Sequence, residues 1–184
     1  MIDASFETLD GDVVTLRRFR STDAPALAAY RSDPEVARYQ GYDGCSLGEA
    51  ERLIATWHGV SPGTPGEWFQ FAVSLPGASE LVGDCALRCD PDDPRLGELG
   101  FSFSRAAQGR GLASAAVRAV LGYAFTHLEL HRVQAVTDER NVPAHRMLEA
   151  VGFRLEARHV ENVWFKGGWS SERVYAYLRA DWKG

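Results

Sequence analysis

The chain has 184 residues, of which 45% are hydrophobic and 24% are charged, and its formal net charge is −5. This length and composition are typical of one globular domain with a packed core, and we predict a single domain over residues 1–184 with its core at about 13–178. The negative charge argues against non-specific binding to nucleic acid.

The sequence also lacks the usual signals for a membrane or a secretory pathway. No segment has the apolar length of a transmembrane helix, and the first residues lack the basic and then apolar pattern of a signal peptide. Three cysteines, Cys45, Cys85 and Cys89, are too few and too isolated for a disulfide framework or a metal site. We therefore expect a cytoplasmic protein without a bound metal or a membrane partner.

In chain order, the patterns of apolar residues and of turn residues predict alternating strands and helices. The first half is predicted to contain a strand, two helices and three strands, at 13–17, about 22–32, 46–58, 68–75, 81–89 and 96–104. The second half is predicted to contain a helix, a strand, a helix and two strands, at about 112–127, 132–137, 141–152, 153–160 and 174–178, with an aromatic loop at 164–169. Helices between strands indicate at least one parallel pair, and hairpins indicate antiparallel pairs.

A glycine-containing loop precedes the third helix and is the strongest functional signal. Its sequence, Gln-Gly-Arg-Gly-Leu-Ala at 108–113, lets backbone N–H groups approach a ligand closely. The first turn of the helix adds N–H groups without intrahelical partners and a partial positive charge. The loop therefore predicts a phosphate site, although it has neither the three spaced glycines of a dinucleotide site nor the Gly-Lys-Ser/Thr of a P-loop.

Gln108, Gly111 and Ala113 form a Gln-x-x-Gly-x-Ala pattern that resembles the pyrophosphate loop of the GNAT N-acetyltransferases. Other segments are similar, in the same order, to the RimJ/RimL-like branch that acetylates ribosomal proteins: 16–24, 33–39, 98–101, 141–153 and 165–169. The resemblance extends from about residue 13 to 178. It implies an α/β (α+β) GNAT fold, with a mixed, mostly antiparallel central sheet of about seven strands and helices on both faces.

The resemblance implies that an acetyl group moves from acetyl-CoA to a primary amine by direct attack in a ternary complex. The acceptor stays open between a protein N-terminus and a small-molecule amine. The alternative is a non-catalytic module of the same fold that binds CoA or a protein partner. The resemblance also favours a homodimer.

The resemblance assigns the cofactor to one strand, the loop after it and the following helix. Loop N–H groups would hold the pyrophosphate, Arg110 would add charge, and Arg146 would approach the 3′-phosphate. The backbone at 101–103 would pair with the peptide-like pantetheine arm, and Asn141 would bond to it. The predicted cofactor-binding residues are Phe101, Ser102, Phe103, Gln108, Gly109, Arg110, Gly111, Leu112, Ala113, Ser114, Asn141 and Arg146.

The reaction also needs a group that accepts the proton of the amine. Glu98 is the first candidate, because it lies on the strand expected to carry the thioester, and Asp84 on the neighbouring strand is the second. The proton donor for the leaving thiolate stays open, since Leu148 and Ala144 occupy the positions at which many family members have Tyr or Ser.

The acceptor side is predicted from aromatic residues in the early helical region and in the late aromatic loop. Tyr39, Tyr42 and Trp164 are the candidates for contact with an amine-bearing acceptor, because aromatic faces attract cations.

Overall fold

The computed structural model describes residues 1–183, and over that range it contains eight strands and five α-helices. The strands are β1 (Thr8–Asp10), β2 (Thr15–Arg17), β3 (Trp68–Ser74), β4 (Leu81–Cys89), β5 (Leu96–Phe103), β6 (Arg132–Asp138), β7 (Arg154–Phe165) and β8 (Gly168–Leu178). The helices are α1 (Ala24–Arg31), α2 (Pro34–Ala37), α3 (Leu47–Trp57), α4 (Leu112–Thr126) and α5 (Val142–Val151). None of these helices has the length and apolar character needed to cross a bilayer.

The eight strands form one sheet in the order β1-β2-β3-β4-β5-β6-β8-β7. Only β5 and β6 are parallel, and every other neighbouring pair is antiparallel. The predicted mixed, mostly antiparallel sheet is therefore confirmed. The sheet has one strand more than the predicted number, because the short segment Thr8–Asp10 pairs with β2. This strand was not predicted, since its three residues show little alternation of apolar and polar side chains.

Helices cover both faces of the sheet, as predicted. On one face, α4 and α5 pack on a core that includes Leu99, Val133 and Tyr175. On the other face, α1 and α3 pack on a smaller core that includes Leu27 and Ile54. Since successive side chains of a strand point to opposite faces, the residues next to Leu99, Val133 and Tyr175 along their strands face away from α4 and α5.

A gap opens in the middle of the sheet between β5 and β6. The two strands pair only through Leu96–Glu98 and Arg132–Gln134, yet β5 continues to Phe103 and β6 to Asp138. Beyond Glu98 the strands therefore separate, and backbone groups that would pair within a continuous sheet face an open wedge.

Two helix starts follow the predicted local signals. At α3, Ser46 Oγ accepts the N–H of Glu49 at 3.3 Å and the Ser46 N–H donates to Glu49 Oε2 at 2.7 Å, which is a complete capping box. At α5, Asn141 Oδ1 accepts the N–H of Ala144 at 3.3 Å.

The last hairpin differs from the prediction. The aromatic segment predicted as a loop at 164–169 continues both strands, with Trp164 opposite Trp169 and Phe165 opposite Gly168. A two-residue turn joins them, in which Lys166 (φ 48°) and Gly167 (φ 85°) both have positive φ, as in the turns that match strand twist. The loop prediction was wrong, because aromatic residues favour strands and here continue both of them.

Candidate active site

A cleft of about 680 Å³ lies between the starts of α4 and α5 and the segment from α2 to Gln40. Ten of the twelve predicted cofactor residues line it: Phe101, Ser102, Phe103, Gln108, Gly109, Gly111, Leu112, Ala113, Ser114 and Asn141. The other two, Arg110 and Arg146, are exposed and do not line this cleft. Sequence reasoning did not select Pro143 and Met147, which line it from α5, since they carry no chemical signal.

The glycine-containing loop presents backbone donors to this cleft. Gly111 lies at the N-cap of α4 with φ 76°, and no side chain caps the helix. The first intrahelical bond runs from the Ala115 N–H to the Gly111 carbonyl at 3.0 Å, so the N–H groups of residues 112–114 have no partner within the helix. Gln108 fixes the loop to β5 by donating from Nε2 to the Phe103 carbonyl at 3.0 Å. This geometry can hold an anion.

The edge of β5 that faces the wedge offers a second set of backbone groups. The Ser104 N–H donates to the Val82 carbonyl at 3.0 Å, and antiparallel pairing alternates, so the backbone groups of Leu99, Phe101 and Phe103 face away from β4. The Phe101 carbonyl accepts from Gln40 Nε2 at 3.2 Å. The N–H groups of this edge can therefore receive an extended, peptide-like ligand.

A second cleft, of about 160 Å³, occupies the wedge between β5 and β6. Val163 and Phe165 of β7, Glu172 of β8 and Asp138 of β6 contribute to its wall. It shares five lining residues with the first cleft: Tyr39, Gln40, Phe101, Asn141 and Ala144. Two ligands that enter from the two clefts would therefore meet at these shared residues, which we call the junction.

The three aromatic candidates for the acceptor have different positions. Tyr39 lines both clefts. Tyr42 lines neither, and its hydroxyl lies 3.1 Å from Ser102 Oγ. Trp164 is 62% exposed and packs edge-to-face on Trp169 at 5.6 Å, on the opposite face of the hairpin from Val163 and Phe165. Side-chain alternation along β7 would have identified Val163 and Phe165 as residues on one face. That alternation was not used, because the segment 164–169 was predicted to be a loop.

The two carboxylates predicted as candidate bases lie outside both clefts. Glu98 lies where β5 and β6 are still paired, and its Oε2 accepts from Arg88 Nη2 at 2.9 Å and from Gln134 Nε2 at 3.4 Å. Asp84 is 3% exposed and accepts from the Tyr30 hydroxyl, with Arg31 Nη2 at 3.7 Å. Burial raises the pKa of Asp84.

The hairpin turn between β7 and β8 is tied to the segment that carries Tyr39 and Gln40. Lys166 Nζ donates to the carbonyls of Ala37 at 2.8 Å and Tyr42 at 2.7 Å, and lies 2.8 Å from Asp43 Oδ1. These contacts hold one wall of the second cleft against another.

Residues 14–154 match the model of the family described as Acetyltransferase (GNAT) domain. The chain belongs to the GNAT acetyltransferase family. YnaD of Bacillus subtilis strain 168, named an uncharacterized N-acetyltransferase, is 33% identical over 91% of this chain and 94% of its own length.

Solved structures agree with the family. A GNAT acetyltransferase from Bacillus anthracis has 25% identity and a TM-score of 0.85, over 95% of this chain and 99% of its own. RimJ of Mycobacterium smegmatis, in complex with CoA-disulfide, has 23% identity and a TM-score of 0.76, over 94% of this chain and 85% of its own. At this identity the similarity is one of fold. The predictions of a GNAT fold and an acetyl-CoA-dependent N-acetyltransferase are confirmed.

Among residues 1–183 of this GNAT enzyme, no three His, Cys, Asp or Glu side chains converge as metal ligands would. The three cysteines are free and buried.

Proposed function

We propose that this GNAT enzyme binds acetyl-CoA in the first cleft and a primary amine in the second, and transfers the acetyl group directly between them. The observation that carries the proposal is the junction, because its five residues line both clefts. Direct attack needs the amine nitrogen and the thioester carbon to approach within about 3–3.5 Å, which two connected clefts allow.

The donor would lie along the edge of β5. The N–H groups at the start of α4 would hold the pyrophosphate, and the N–H groups of Phe101 and Phe103 would bond to the pantetheine arm. A free N–H at this edge would also polarise the thioester carbonyl, since donors aimed at a developing oxyanion stabilise the transition state. Asn141 can donate from its amide nitrogen, because its Oδ1 already caps α5.

The chemistry is an exchange of one bond for another at the acetyl carbonyl carbon. The amine nitrogen forms the new C–N bond, the C–S bond breaks, and CoA leaves as a thiolate. The amine proton passes to a base. Glu98 and Asp84, the two candidates that the sequence predicts, lie outside both clefts. For the thiolate, Ala144 and Leu148 offer no hydroxyl, and both are buried, at 5% and 0% exposed. We propose that water protonates the sulfur.

The size of the second cleft supports an acceptor that enters end-on. Its volume of about 160 Å³, against about 680 Å³ for the first cleft, suits an amino group and a few neighbouring atoms. A protein N-terminus or a slender small-molecule amine satisfies this limit. Tyr39 and Phe165 would contact the carbon next to the nitrogen.

We also propose a compartment, a class of acceptor and an assembly for this enzyme. Free, buried thiols are typical of a reducing compartment, which supports a cytoplasmic enzyme. The net charge of −5 supports an acceptor other than nucleic acid. A homodimer is the proposed assembly, without a metal ion or a membrane partner, and sedimentation at several protein concentrations tests the dimer.

A non-catalytic module that binds CoA or a partner is the second candidate. The apolar residues Ala144 and Leu148, at positions where the family resemblance implies hydroxyls, favour it.

Thiol release from acetyl-CoA separates the two candidates. The full chain is incubated with acetyl-CoA and a panel of amines that contains peptides with free N-termini, the same peptides N-formylated, a polyamine and an aminoglycoside. An enzyme releases thiol with one class of free amine and none with the blocked peptides. A module raises the melting temperature with CoA but releases no thiol with any amine, whereas the absence of a thermal shift with CoA contradicts both candidates.

A further inference from the structure

We propose that Glu172 is the catalytic residue that accepts the proton from the attacking amine. This role rests on the proposed function, because it assumes that the amine enters the second cleft. It differs from the expectation for Glu98 and Asp84, which line neither the first nor the second cleft.

Three carboxylates line the two clefts: Glu35, Asp138 and Glu172. Glu35 is exposed on α2, where its carboxylate faces Arg38 at 3.7 Å with both side chains 60% exposed, so it belongs to the outer rim. Asp138 already accepts from Arg140 Nη2 at 2.6 Å and from Ser170 Oγ at 2.6 Å. Its hydrogen bonds with Arg140 lower the pKa of Asp138 to about 2, so it is a poor proton acceptor near neutral pH.

Glu172 lies on the face of the sheet opposite to the cofactor loop. Tyr175 packs in the core under α4 and α5, so Glu172, three residues earlier on the same strand, faces the other way. Val163 pairs with Ser170 in register, and Asp138 pairs with Glu172. The side chains of these four residues therefore share one face. An acceptor that approaches from this face meets Glu172 while the donor is held from the other.

The position along the strands also separates Glu172 from Glu98. Glu98 pairs with Gln134, and Glu172 pairs with Asp138. Asp138 lies four residues beyond Gln134, which corresponds to about 13 Å along a strand. Glu98 is therefore level with the closed end of the wedge, whereas Glu172 is level with its open part, where the two clefts meet.

The hydrogen bonds of Glu172 leave it able to accept a proton. Its Oε2 accepts a hydrogen bond from the neutral amide Nδ2 of Asn162 at 2.5 Å. That bond does not involve the other carboxylate oxygen, Oε1. Its register partners across the sheet are Asp138 on β6 and His159 on β7. Arg140 pairs with Asp138, and Tyr39 lines the same cleft. Arg140 forms a salt bridge with Asp138, whereas Glu172 forms no salt bridge within residues 1–183. The amine therefore meets Glu172 as the carboxylate of the second cleft that has no ion-pair partner in this range.

The proton moves from the amine to Glu172 and then to solvent. As the amine nitrogen forms the C–N bond, its extra proton moves to Glu172 Oε1, directly or through one water molecule. The C–S electron pair leaves with sulfur. Glu172 then returns the proton to solvent, and the thiolate is protonated from solvent.

The test compares Glu172→Gln with Glu98→Gln in the full chain, with acetyl-CoA and an amine that the unaltered protein acetylates. Glutamine keeps the size of the side chain and an oxygen for Asn162. We expect Glu172→Gln to lower kcat/KM by about 100-fold or more, to keep the thermal shift with CoA, and to lose one ionisation from the acidic side of the pH profile of kcat/KM. Glu98→Gln should keep that ionisation and most of the activity.

Glu172→Asp serves as the second variant, because it restores a carboxylate in a shorter side chain. Partial recovery of kcat with the acidic ionisation present would support proton transfer over a purely structural role. Unchanged kcat/KM in Glu172→Gln, or a loss confined to Glu98→Gln, would overturn the assignment. If the unaltered protein acetylated no amine, the proposed function and this role would both be rejected, which is a result distinct from an active Glu172→Gln.

Discussion

Gly111→Ala tests whether the loop before α4 is the pyrophosphate site. Gly111 has φ 76° at the N-cap of α4, and a Cβ built there meets no atom within 4 Å. Gly77, in the turn between β3 and β4, has φ 73° and equally open space. The two positions therefore carry the same backbone requirement, but only Gly111 lines the first cleft, so Gly77→Ala is the matched control.

The stability cost of the two substitutions should be similar. A left-handed conformation costs a non-glycine residue about 1–2 kcal/mol. For a chain of this length each kcal/mol lowers the melting temperature by about 2–4 °C, so both variants should melt about 2–8 °C lower than the unaltered protein.

The effect on CoA should differ. The added methyl group at Gly111 faces the open space that a phosphate oxygen would occupy, and it should remove at least one charged hydrogen bond, which is worth about 1.5–3 kcal/mol. The dissociation constant for CoA, measured by calorimetry, should rise roughly 10- to 100-fold in Gly111→Ala and stay unchanged in Gly77→Ala. Equal affinity in both variants would refute the assignment of this loop to pyrophosphate.

Two further predictions concern stability and the acceptor wall. Asp138→Asn should cost about 2 kcal/mol near neutral pH, because the folded pKa of Asp138 is lowered to about 2 from 3.8. A lowered pKa stabilises the folded state above the unfolded value and loses that effect as pH falls, so the difference from the unaltered protein in urea unfolding should shrink by about 1 kcal/mol between pH 6 and pH 3. Lys166→Met should raise KM for the amine about 5-fold or more, since it removes contacts worth about 1 kcal/mol, and leave CoA affinity unchanged.

The controls for these two predictions use exposed residues of the same type. Asp92→Asn, at an exposed side chain outside both clefts, is the control for the substitution itself. A constant difference for Asp138→Asn across pH would contradict the argument from its pKa. Lys183→Met removes the same charge near the C-terminal end and should leave KM unchanged. An unaltered KM in Lys166→Met would show that the hairpin turn does not position the acceptor wall.

Much of the fold and the cofactor side of the site could be predicted from the sequence, because their signals are local. The capping box of α3, the Asn141 cap of α5 and the glycines before α4 each involve residues within a few positions of one another. Ten of the twelve cofactor residues that the family resemblance implied line the first cleft. Segments at the edges of the sheet were harder to predict from the sequence. Thr8–Asp10 is too short to show periodicity, and the tip of the last hairpin was predicted to be a loop.

Only the tertiary structure decided which carboxylate meets the acceptor. The sequence by itself determined that Glu98 lies on the strand before the loop, but not that Arg88 pairs with it or that β6 is still paired at that level. Likewise, Glu172 carries no motif, and it reaches the second cleft because β8 lies beside β6 while β5 diverges from it. Side-chain alternation is a property of one strand, whereas the point at which two strands separate depends on residues far apart in the chain, and that point sets where donor and acceptor meet.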